Sequence, residues 1–134
     1  MKILVIDGQG GGIGRQVVAG VKAAYPKAEL IAVGTNSAAT AAMLKAGADA
    51  AATGENSVIV CARSADVIVG PIGIVIADAL LGEITPAMAT AVSQSSARRI
   101  LIPVNHCDNI IVGVGELAMG KLVQEVVAEI GKAP

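Results

Sequence analysis

The chain has 134 residues, enough for one aliphatic core and too few for two ordinary domains, so residues 1–134 read as a single domain. It is 54% hydrophobic and 16% charged, with net charge −1, a single Tyr and neither Phe nor Trp, which argues against a basic nucleic-acid groove with stacking platforms. The most apolar run, 67–77, is interrupted by Gly70, Pro71 and Gly73 and falls short of the ~18 residues needed to cross a membrane. The opening apolar stretch stops at Asp7, too early for a signal peptide, and Cys61 and Cys107 lack metal-ligand spacing. A cytoplasmic protein is expected, with no metal site.

In chain order, 2–6 is a continuous apolar run, the pattern of a strand buried on both faces of a parallel sheet. Five glycines follow within Gly8-Gln9-Gly10-Gly11-Gly12-Ile13-Gly14. Ile13, Val17, Val18 and Val21 then form a helical stripe that ends before Pro26. Residues 30–33 make a second strand, and Asn36 or Ser37 caps an alanine-rich helix closed by Gly47.

A weak third strand is expected at 50–52. Residues 57–62 read as a short helix, although Val58-Ile59-Val60 is equally compatible with a strand. The fourth strand falls at 66–70, followed by the special turn Gly70-Pro71-Ile72-Gly73 and an apolar segment to Leu81. Thr85-Pro86 opens a helix as N-cap and first-turn proline, and 100–104 is the fifth strand. A sixth strand is expected at 110–112. Met119, Leu122, Val123, Val126, Val127 and Ile130 give the last helix a marked apolar stripe. This alternation predicts an α/β fold, a doubly wound and mostly parallel sheet of five to six strands in the order 3-2-1-4-5 with helices on both faces.

The glycine turn is the main functional signal. A strand-to-helix turn rich in glycine lets a ligand approach the backbone, and the following helix aims free N–H groups at a phosphate. Neither the Walker spacing nor G-x-G-x-x-G fits, since the last glycine of the latter would fall on Ile13. Gly8, Gly12, Ile13 and Gly14 do fit G-x-x-x-G-I-G, and over about the first forty residues the chain resembles the cofactor loop of short-chain dehydrogenases/reductases. That resemblance implies NAD(P) or another nucleotide as cofactor. The catalytic Tyr-x-x-x-Lys of those enzymes is absent, because four residues after Tyr25 stands Glu29.

Nearly the whole chain resembles a family of small uncharacterised bacterial proteins, a domain of unknown function. The shared landmarks are the stretch from Ile6 to Gly14, Gly34-Thr35-Asn36-Ser37, Ala52-Thr53-Gly54-Glu55-Asn56, Gly70-Pro71-Ile72-Gly73, Gly82-Glu83-Ile84-Thr85-Pro86 and Ile102-Pro103-Val104-Asn105. The resemblance implies a Rossmann-like fold and no established activity.

The leading expectation is a nucleotide- or dinucleotide-binding module, with phosphates on Gly8, Gln9, Gly10, Gly11, Gly12, Ile13 and Gly14. The ribose is expected near Thr35, Asn36 and Ser37, which stand where a ribose-binding acid usually does, and the far side of the cofactor near Gly70 and Pro71. Helix capping explains the Thr35–Ser37 group equally well, and a rigid turn explains Pro71. An alternative is a small enzyme acting on a phosphorylated or carboxylated metabolite, with Asp7 or His106 as acid or base and Glu55 in second rank. Asp7 is better explained as a pin for the glycine loop. A third reading is an assembly protein without a ligand. The apolar excess predicts a homodimer or higher oligomer, with residues 72–81 or the last helix buried between subunits.

Overall fold

The computed structural model describes residues 1–104 and 109–132. Strands β1 (Lys2–Asp7), β2 (Glu29–Gly34), β3 (Ala50–Thr53), β4 (Val67–Pro71) and β5 (Arg98–Ile102) form one all-parallel sheet in the order β3-β2-β1-β4-β5. The expected order 3-2-1-4-5 is borne out. Helices α1 (Gly12–Ala24), α2 (Ser37–Lys45), α3 (Glu55–Ala62), α4 (Pro86–Gln94) and α5 (Met119–Ile130) cover its faces.

Alternation along β1 explains the three layers. Ile3 and Val5 pack with Val17, Val18 and Val21 of α1 and Leu122, Val123, Val126 and Ile130 of α5. Leu4 and Ile6 point the other way, into Val58 and Ala62 of α3 and Met88, Ala89 and Val92 of α4. A central strand apolar at every position from Ile3 to Ile6 thus feeds two cores at once.

Residues 55–62 are helical, which decides between the two readings of Val58-Ile59-Val60. Val58 and Ala62, four apart, both turn inward as one helical face. The fifth strand begins two residues earlier than expected because Arg98 and Arg99 belong to it. Their guanidinium groups leave the sheet, Arg98 donating to the carbonyls of Glu129 and Lys132 and Arg99 to that of Ser95.

The expected sixth strand at 110–112 does not form among the described residues. Ile110 and Val112 are 89% and 93% exposed, and apolar residues beside Gly113 and Gly115 do not make a strand without a ladder partner. Residues 72–81 and α5, offered as subunit-facing surfaces, turn much of their apolar surface inward. Ile74, Ala79 and Leu80 are buried in the chain's own core, as are Leu122, Val123, Val126 and Ile130. Among the described residues, no helix is long and apolar enough to cross a membrane.

Candidate functional site

Strand order reverses between β1 and β4, and the loop leaving β1 opens there, where folds of this kind bind ligands. The glycine turn is built around Asp7, which is almost fully buried at 4% exposure. Its Oδ1 accepts the Gly8 N–H at 2.8 Å and its Oδ2 the Gly14 N–H at 2.6 Å. Burial pushes this carboxyl above its usual range, against the pull of the Gly14, Gly8 and Ile13 amides, and the charge of Glu83 adds to the rise. With both oxygens accepting loop amides at the α1 N-terminus, Asp7 pins the loop from beneath.

The glycines of the loop divide into two kinds. A Cβ on Gly14 would stand 2.5 Å from Met43 Sδ and 2.8 Å from Asp7 Cβ, and one on Gly8 would be 2.7 Å from Thr35 Oγ1. Gly11, the N-cap of α1, has φ 72° and lies against the Ala39 backbone. Packing explains these three. Gly10 and Gly12 would meet nothing within 4 Å, and neither has a positive φ. Their N–H groups find no partner among the described residues. Both line a cleft of about 240 Å³ bounded by Asp7, Gly8, Gln9, Ile13 and Leu80.

The loop after β2 closes one side of this region. Asn36 caps α2 by accepting the Ala39 N–H at 2.9 Å, and its Nδ2 donates to the Gln9 carbonyl at 2.9 Å. Gln9 has φ 49°, a left-handed conformation costing about 1–2 kcal/mol, and both its backbone groups are tied down. Its N–H donates to Glu83 Oε1 at 3.0 Å.

Glu83 was not among the candidate site residues. It arrives on a strap that follows β4, a 3₁₀ turn at Ile72–Val75 and then a stretch where Asp78, Leu80, Leu81 and Gly82 all have positive φ. The strap buries Leu80 beside the cleft and presents Glu83 Oε1 to Thr35 Oγ1 at 2.5 Å and Asn36 Nδ2 at 2.7 Å. Burial works to raise the Glu83 carboxyl, but the bonds from Thr35, Gln9 and Asn36 outweigh it and hold the group below its ordinary range. A signal did exist in the landmark Gly82-Glu83-Ile84-Thr85-Pro86, where the acid stands ahead of the helix cap and has no local helical role.

The other candidates are placed as follows. Ser37 is the exposed first residue of α2. Gly70 and Pro71 are buried at the end of β4 and do not line the cleft, and a Cβ on Gly70 would lie 2.5 Å from the Ile6 carbonyl oxygen. Glu55 starts α3 and accepts the Thr85 hydroxyl at 2.5 Å, joining α3 to the cap of α4. His106 and Cys107 lie outside the described residues. Among the described residues no three His, Cys, Asp or Glu side chains gather as a metal-ligand set.

The all-parallel sheet and the glycine turn at its switch point define a Rossmann-like α/β protein. Within that class, the chain belongs to the family described as Domain of unknown function (DUF3842), which matches residues 2–133. No curated protein and no solved structure matches the chain.

Proposed function

We propose that the protein binds a nucleotide or dinucleotide of the NAD(P) type, with a phosphate on the Gly10 and Gly12 N–H groups and the ribose beside Thr35 and Asn36. The observation that carries this reading is the surplus of Gly10 and Gly12. Both have room for a side chain, neither has a positive φ, and both border the cleft with N–H groups that find no partner among the described residues. A helix interior or turn gains backbone order from alanine in place of glycine, so two unneeded glycines at a helix N-terminus point to a ligand that must touch the backbone. Asp7 has both carboxylate oxygens occupied by loop amides, which favours a positioning role over one as acid or base.

A thermal-shift panel of NAD, NADP, ATP, FAD and S-adenosylmethionine tests the proposal. At least one should raise the melting temperature of the wild-type protein, and Gly12→Val should abolish that rise while melting close to wild type. The absence of any shift at millimolar ligand would remove the reading.

A second reading, self-association, is supported by a separate region. Ile110, Val114 and Leu117 are exposed and line one groove with Pro103, just past the edge strand β5, an apolar surface suited to a second copy of the chain. Sedimentation at micromolar concentration should give a species heavier than the 13.3 kDa chain.

A further inference from the structure

Dinucleotide sites in doubly wound folds usually place a carboxylate at the end of the second strand, where it accepts the ribose 2′-OH, while an arginine nearby accommodates a 2′-phosphate. Here the residues after β2 are Thr35, Asn36 and Ser37, none of them acidic. A carboxylate nonetheless occupies that place, supplied by the strap after β4. Glu83 Oε1 gathers the Thr35 hydroxyl, the Asn36 amide and the Gln9 N–H at 2.5, 2.7 and 3.0 Å. Its other oxygen, Oε2, accepts no hydrogen bond among the described residues.

We propose that Glu83 is the specificity-determining residue of the nucleotide site, its Oε2 accepting the ribose 2′-OH and its charge rejecting a 2′-phosphate. The inference rests on the nucleotide-binding reading above and names the class of ligand more closely, as nucleotides with an unmodified ribose. Three features support it. The carboxylate is held in place by donors from two other loops, so little side-chain freedom remains to be lost on binding. The same three donors keep it ionised near neutral pH. Among the described residues, no lysine or arginine bonds to Glu83, Thr35 or Asn36, so a 2′-phosphate there would meet the carboxylate charge without a cation bonded to it.

Glu83→Gln separates the two oxygens. The glutamine carbonyl can still accept from Thr35, Asn36 and Gln9, while the Oε2 position becomes an uncharged donor. Calorimetric titration of the full chain with NAD and NADP reads the result. Wild-type protein should bind NAD at least about tenfold tighter than NADP, and Glu83→Gln should weaken NAD about tenfold and close that gap. Equal affinities in the wild type, or a preference that persists in Glu83→Gln, would overturn the role of Glu83 and leave the binding site standing. If neither nucleotide binds at millimolar concentration, the nucleotide reading itself fails, and this inference with it.

A measurement on the wild type alone guards against a variant that folds poorly. The 2′-deoxyribose analogue of NAD, lacking the hydroxyl that Oε2 would accept, should bind about tenfold more weakly than NAD. Equal binding of the two contradicts the proposal.

Discussion

The glycine-loop end of the sheet and the β5–α5 flank differ in what fills them. The flank holds the larger spaces, grooves of about 480 Å³ beside Ile100, Ile102 and Leu122 and about 470 Å³ beside Ile110, Val114 and Leu117. The cleft at the loop is half that size. Yet the small cleft is lined by the glycine loop and by Leu80 of the strap. Asp7 is held there by loop amides, Glu83 is held just beside it by Gln9, Thr35 and Asn36, and two glycines remain that packing does not require. The groove beside Ile100 is rimmed by Glu125, Glu129 and Lys132, the last two paired with each other at 2.7 Å, and the groove beside Ile110 is mostly apolar with Glu116 at its edge. Volume alone is a poor guide to a binding site, and a few fixed polar groups beside bare backbone are a better one.

The largest effect should come from the packed glycines of the loop. Gly14→Val would drive its side chain into Met43 and Asp7, and should cost about 3 kcal/mol or prevent folding, read by urea denaturation. A near-neutral result would mean that the loop is not pinned as described. Next, Asp7→Asn turns an acceptor into a donor facing the Gly8 or Gly14 N–H, a loss of about 2 kcal/mol.

Glu83→Gln should be milder, about 1 kcal/mol at pH 7, because the amide oxygen keeps the three donors. The sign of its pH dependence follows from a carboxyl held below its ordinary value of 4.5. Stability from such a group is present above the unfolded-chain value and is lost as pH falls through the folded one. The gap between wild type and Glu83→Gln should therefore narrow below pH 4.5, and a gap that widens on acidification would contradict the account.

The smallest effect on stability belongs to the flank. Ile110→Ser, at a side chain 89% exposed, should change stability by no more than about 0.5 kcal/mol while shifting sedimentation toward the monomer. Unchanged sedimentation of a multimeric wild type would show that this surface is not the contact.

Most of the fold was legible in the sequence because its signals are local. The run from Ile3 to Ile6, the cap at Thr85-Pro86 and the stripe from Leu122 to Ile130 each depend on residues close in sequence. Where the signal was apolar content alone, it misled. Ile110 and Val112 have the composition of a strand and no partner to pair with, whereas Arg98 and Arg99 sit in a strand that an apolar count excludes. The site divides in the same way. The glycine spacing is written in seven consecutive residues, but which glycines serve packing depends on Met43, Thr35 and Ala39, brought in from other elements. Glu83 lies 48 residues from Thr35 and 74 from Gln9, so its place became visible only once the strap was folded against both loops.

On the proposed reading, Gly10 and Gly12 are left bare for a ligand. Backbone amide NMR of the wild-type protein during titration with NAD tests it most directly. The Gly10 and Gly12 signals should move first and furthest, with those of residues 110–117 unmoved. Saturable shifts confined to the β5–α5 flank, or no shift at millimolar NAD, would contradict it.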